Sequence, residues 1–114
     1  MPFVKIQSNV ELSDAEQESL LKSISSLTSK ELDKPERYVM VAIEPATQML
    51  FAGTNEPACY LELKSIGLAE DKIPALSHVL CQEIETQLGI TKDRIYIEFA
   101  NAPRSMWGWN GSTF

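Results

Sequence analysis

Two stretches of this chain echo each other. DKPERYVMVAIEPA (residues 33–46) and TKDRIYIEFANAP (residues 91–103) each set a lysine and then an arginine ahead of a strand-like run, with a proline after it. A helical pattern precedes each. Ser13 and Glu16 have the spacing of a capping box, and Leu20, Leu21, Ile24, Leu27 and Leu32 recur at helical intervals, which predicts a helix from about Ser13 to about Leu32. Ile73, Leu76, Leu80, Ile84 and Leu88 mark a second, with Pro74 in its first turn and Gly89 as its stop. Strand signals rich in Val, Ile, Tyr and Phe lie at Phe3–Gln7, Tyr38–Glu44, Cys59–Ser65 and Arg94–Phe99, with a shorter candidate at Met49–Ala52. The order strand, helix, strand thus occurs twice. It predicts a single α+β domain over residues 1–114, built as a tandem pseudo-repeat of one β-α-β unit, about 1–56 and 57–114. Right-handed crossovers then put both helices on one face of a shared four-stranded mixed sheet.

The strands carry a second message. Alternate residues face opposite sides. Val39, Val41 and Ile43, Leu61 and Leu63, and Ile95, Ile97 and Phe99 form one aliphatic set suited to the helices. The opposite set is Tyr38, Met40 and Ala42, Tyr60, Glu62 and Lys64, and Tyr96, Glu98 and Ala100. That side is too apolar for plain solvent, and two helices cover only one face. Large apolar surfaces mark interaction sites, and symmetric self-association is the commonest one. A homo-oligomer is expected.

A net charge of −6 and the lack of a Lys/Arg cluster argue against nucleic acid or anionic membrane as a partner. No signal-peptide pattern and no long apolar run occur, so the expected location is the cytoplasm, with export only by an unconventional route. Cys59 and Cys81 match no metal or redox spacing and read as free, buried thiols. His78 is the only histidine and reads as a helix-surface residue, so a metal site has little support.

Met1-Pro2 admits two readings. Proline lacks an amide hydrogen and suits the first position of a strand. Removal of Met1 would instead leave Pro2 as a free secondary amine, a general base if it loses its proton near neutral pH. Pro2 after Met1, DKPERY at 33–38, EPACYLELKSIG at 56–67, DRIYI at 93–97 and GWNGSTF at 108–114 together resemble the macrophage migration inhibitory factor family of the tautomerase superfamily, collinearly over essentially all 114 residues.

The resemblance implies a homotrimer with three active sites between subunits, acting without cofactor or metal. It implies keto–enol tautomerisation of α-keto acids such as phenylpyruvate, or of dopachrome-like compounds, with Pro2 as general acid/base. An apolar pocket and a nearby cation such as Lys34 both lower an amine's pKa. Lys34 would also pair with the substrate carboxylate; alone it reads as a solvated lysine before a strand. By the same resemblance the Ile66 amide contacts substrate with Ser65 beside it, and Tyr38 forms an aromatic wall. Tyr96 comes from the neighbouring subunit, and Trp109 and Phe114 stack at the C-terminal end. Ordinary packing is the competing reading for the aromatics.

Some positions depart from the family. Glu98 stands where the mammalian cytokines carry asparagine, Lys64 where they carry histidine, and Trp107 replaces a smaller apolar residue. At the pocket rim, Glu98 would repel an acidic substrate and hold the proton on Pro2; otherwise it is a solvent-facing strand residue. The cytokine Cys-x-x-Cys is replaced at Ala58 and Leu61, which removes support for thiol-redox activity. The alternative function is a cytokine-like module that binds a host or receptor protein and keeps a vestigial pocket. Intact Pro2, Lys34 and Ser65-Ile66-Gly67 favour the enzyme.

Overall fold

The computed structural model describes residues 1–114. Its first strand, β1, spans Phe3–Ser8, and the helix α1 spans Asp14–Leu32. Ser13 caps α1, and the capping box forms in both directions: the Glu16 amide donates to the Ser13 hydroxyl, and the Ser13 amide donates to the Glu16 carboxylate. Those bonds hold the Glu16 carboxyl below its ordinary pKa. Asp33 ends the helix in a left-handed conformation at φ 52°. Strand β2 follows at Met40–Glu44, and β3 spans Cys59–Ile66. Helix α2 occupies Ile73–Leu88 and stops at Gly89, whose φ of 69° favours a residue without a side chain. Strand β4 spans Ile95–Ala102.

The sheet order is β2-β1-β3-β4. β1 and β2 run parallel, as do β3 and β4, while β1 and β3 run antiparallel. Each parallel pair needs a long crossover, and α1 and α2 supply them. The sheet is therefore mixed, with its two β-α-β units joined side by side.

The core lies between helices and sheet. Val4 and Ile6 of β1 and Leu61 and Leu63 of β3 meet Leu20 and Ile24 of α1 and Leu80 and Ile84 of α2, all fully buried. Each such side chain contributes roughly 1.5–3 kcal/mol by leaving water. Val41, Ile43, Ile97 and Phe99 pack at the edges of the same cluster. The other face stays open. Across it run the rows Met40, Phe3, Lys64, Ala100, then Ala42, Lys5, Glu62, Glu98, then Glu44, Gln7, Tyr60, Tyr96.

Three local expectations are corrected. Tyr38 does not begin β2; it closes a 3-10 turn, Glu36–Tyr38, whose geometry follows Pro35. Met49–Ala52 forms no strand, because only an isolated bridge from Phe51 to Thr54 pairs there. Cys81 is only half-buried, whereas Cys59 is buried as expected and its thiol is pushed up to about 12 by desolvation first and by Cys81 second. His78 is exposed on α2. No helix is long and apolar enough to cross a membrane.

Candidate active site

Pro2 ends up fully buried at the start of β1, and its carbonyl accepts a hydrogen bond from the Met40 amide at 3.0 Å. The missing amide hydrogen costs nothing at the first position of a strand. Around Pro2 lies a cavity of about 170 Å³ lined by Met1, Phe3, Tyr38, Met40, Trp107, Trp109 and Phe114 among others.

Its aromatic wall comes from a hairpin near the C-terminal end. Strands β5 (Gly108–Trp109) and β6 (Ser112–Thr113) pair antiparallel across Asn110-Gly111, both at positive φ. Asn-Gly is the dipeptide such a two-residue turn needs. The hairpin stacks Trp109 on Phe114 with ring centroids 5.3 Å apart. Both rings meet Tyr38 edge-on, at 5.7 and 6.1 Å. The Phe114 amide donates to the Trp107 carbonyl at 3.2 Å, which ties the last residue back to the wall.

Lys34 is aimed by the end of α1. After Asp33 turns the chain, the Lys34 amide donates to the Ser29 carbonyl at 3.0 Å, and the Ser29 hydroxyl donates to the Lys34 carbonyl. The Lys34 ammonium reaches the turn beyond β3: a Cβ at Gly67 would lie 3.9 Å from its Nζ. Ser65 and Ile66 just before that turn are buried, and the Ser65 hydroxyl donates to the Ile66 carbonyl at 3.1 Å. The α-amine of Met1, beside this corner, is held below its ordinary pKa, by desolvation first, then by the charges of Lys34 and Arg104.

Within one chain, then, Pro2, Tyr38, Trp109 and Phe114 share a pocket, and Lys34 sits against the end of the Ser65-Ile66-Gly67 segment. Tyr96 and Glu98 do not join them. Tyr96 aligns across the sheet with Tyr60 and Gln7, five residues along β1 from Pro2, roughly 17 Å at 3.4 Å per residue. There it packs on Phe51, centroids 4.7 Å apart, beside a second apolar cavity of about 310 Å³. Glu98 is exposed on the open face, in register with Glu62.

Sequence reasoning missed two cations. Arg37 lines the Pro2 pocket, and Arg104 acts on the N-terminal amine. The signal for Arg37 was present: it lies one residue before an aromatic assigned to the pocket wall. Nothing in the local pattern singles out Arg104, whose placement depends on the turn Arg104–Met106.

The macrophage migration inhibitory factor (MIF) family model matches residues 1–114. The chain is 36% identical to the macrophage migration inhibitory factor homolog of Trichinella spiralis over 115 residues, covering 100% of both chains. It is 32% identical to macrophage migration inhibitory factor of Mus musculus, covering 100% of this chain and 99% of that one. The crystal structure of the macrophage migration inhibitory factor homologue from Prochlorococcus marinus superimposes with a TM-score of 0.92 at 44% identity, over 98% of each chain. The chain belongs to the macrophage migration inhibitory factor family, in the tautomerase superfamily.

Proposed function

We propose that the protein is a keto–enol tautomerase for phenylpyruvate-type α-keto acids, with the amine of Pro2 as its general acid/base. The observation that carries this reading is the buried Pro2 at an aromatic pocket, with Lys34 and Arg104 close enough to act on the amine of the preceding Met1. A Pro2 amine freed by loss of Met1 would meet the same cations and apolar walls, which favour its basic form.

Once Met1 is removed, the Pro2 nitrogen takes a proton from the carbon beside the keto group. The electron pair moves onto the keto oxygen, and protonation of that oxygen yields the enol; the reverse path restores the ketone. Lys34 holds the carboxylate and offsets the enolate charge, and the Ile66 amide, steadied by Ser65, orients the same end. Tyr38, Trp109 and Phe114 enclose the ring. Tyr96 and Glu98 reach the pocket only from a second copy, so the working enzyme is a homotrimer with sites between subunits.

Decay of phenylpyruvate enol on untagged protein, alongside intact mass and light scattering, tests this. The expected result is catalysis by a chain lacking Met1, in a particle three times 12.8 kDa. Retained Met1, a monomer, or no rate above buffer overturns it.

A further inference from the structure

A carboxylate approaching this chain meets a net charge of −6, which repels it. One feature of the Pro2 pocket works the other way. Seven of its ten lining residues are hydrophobic, and Arg37 is the one charged side chain among them. Lys34 is not on that lining. Arg37 lines the cavity and is also exposed to solvent, so it stands at the mouth.

Its position is set by a turn held from both sides. The Tyr38 amide donates to the Pro35 carbonyl at 3.0 Å, and the Val39 amide donates to the Glu36 carbonyl at 2.9 Å, which closes the 3-10 turn around Arg37. The Glu36 carboxylate is tied to α1, where it accepts from the Ser25 hydroxyl at 2.9 Å. The Arg37 guanidinium carbon lies 4.7 Å from the centroid of the Tyr38 ring. That ring is itself held edge-on by Trp109 and Phe114. A guanidinium on an aromatic face keeps its edge donors free. Other cations of the chain are committed: Lys22, Lys64 and Lys92 each pair with a glutamate, and Arg94 donates to the carbonyls of Phe51, Glu56 and Pro57. Arg37 has neither a carboxylate nor a carbonyl partner.

We infer that Arg37 is the anion-selecting residue of the pocket, and that the ligand it fits is a flat apolar ring carrying a carboxylate. The aromatic walls take the ring. The carboxylate accepts two parallel N–H bonds from the guanidinium edge, and the apolar lining strengthens that attraction relative to open solvent. A carboxylate has about four acceptor sites, so a contact with Arg37 leaves room for the one proposed for Lys34. Arg37 acts on binding and carries no proton in the reaction, because a guanidinium stays charged. The inference deepens the tautomerase reading by naming the residue that chooses among its ligands, and it rests on the Pro2 pocket as the binding site.

The test reads occupancy without turnover. Both tryptophans of the chain, Trp107 and Trp109, line the pocket, so intrinsic fluorescence of the untagged protein reports binding. The probes are phenylacetate and its neutral isostere, phenylacetamide. The parent should bind the anion about fivefold more tightly, between the effect of an exposed charge pair and that of a well-formed hydrogen bond to a charged group. Arg37→Gln should erase that preference and leave the affinity for phenylacetamide where it was. Arg37→Lys should restore part of the preference, since lysine keeps the charge but not the fork, and added salt should shrink it. Arg37 is exposed, so these variants should fold, and their thermal midpoints check it. A preference that survives in Arg37→Gln assigns the carboxylate to Lys34 alone and overturns the inference. An equal loss of affinity for both probes would make Arg37 part of the wall only, and overturns it too, as does failure of both probes to bind the parent. Turnover of phenylpyruvate separates this inference from the tautomerase reading. Arg37→Gln should raise KM by a similar factor, with most of the loss in kcat/KM carried by KM. Turnover without an Arg37-dependent preference sinks the inference and leaves the tautomerase; preference without turnover does the reverse.

Discussion

The two ends of the open sheet face contrast sharply. At the start of β1, seven of the residues assigned to the site, Pro2 among them, lie in or beside one corner that a single chain builds by itself. At the other end, Tyr96 is 66% exposed and rests on Phe51, with the exposed Leu50 beside it. The first end has the buried Pro2 and a finished aromatic wall. The second has apolar surface and no chemistry of its own. On the proposed reading, one chain supplies the reactive half of the site and leaves the enclosing half to another copy. Each experiment below tests whether the two ends really divide the work in that way.

The largest effect should come from blocking the amine. A short N-terminal extension that survives processing leaves every side chain in place but removes the base. General acid–base catalysis contributes about 10²–10⁴-fold, so kcat/KM for phenylpyruvate should drop by at least about a hundredfold, with unchanged light scattering. Full activity in a chain whose extension is verified by mass would strip the first end of its assigned role.

Next comes a mixing experiment. Lys34→Ala should lower kcat/KM by about ten- to a hundredfold, since a hydrogen bond to a charged group is worth roughly 1.5–3 kcal/mol and each 1.36 kcal/mol is tenfold in rate. Tyr96→Ala should also lower it, by opening the pocket. Co-refolded one to one, the two variants form some sites that draw Lys34 from one chain and Tyr96 from another. Statistical pairing around a ring leaves roughly one site in four intact, so about a quarter of the parental activity should return. A mixture no better than its components would confine the site to one chain.

The fold was legible because its signals are local and repeated. The capping box at Ser13, the leucine spacing and Gly89 each act over a few residues, and the structure uses all of them. Tyr38 was misread as strand because Tyr-Val-Met-Val looks extended, whereas Pro35 and the preceding helix end impose a turn. That turn is what swings Tyr38 onto Trp109 and Phe114. The C-terminal hairpin has its local signal in Asn110-Gly111, the dipeptide its two-residue turn needs. Arg104 could not be read, because its effect depends on where a distant turn lies relative to the first residue. Side-chain direction on strands was easy; placement across elements distant in sequence was not.

The smallest effect belongs to Glu98, where the two ends meet. In its own chain it aligns with Glu62. Glu62 is occupied, accepting from the Tyr60 hydroxyl at 3.2 Å and lying 3.7 Å from the Lys64 ammonium. The Tyr60 phenol is pushed up by desolvation first, then by its bond to Glu62 and the charges of Glu62 and Glu98, so Glu98 is felt on this face. Two consequences of Glu98→Asn follow, and they separate its possible settings. Within its own sheet, the change removes a like-charge neighbour across the ladder and should raise the thermal midpoint slightly. If Glu98 also reaches the pocket of another copy, its charge there stabilises protonated Pro2, against the opposite pull of Lys34 and Arg104. Removing it then lowers the pH at which Pro2 loses its proton, so the acid-limb midpoint moves down and activity toward phenylpyruvate rises a few-fold at neutral pH, the scale of an exposed charge pair. The rate of Pro2 alkylation across pH, read by mass spectrometry, reports that midpoint. A higher thermal midpoint with an unmoved alkylation profile would assign Glu98 to its own sheet alone. A shifted profile would tie the chemistry of one end to the surface of the other.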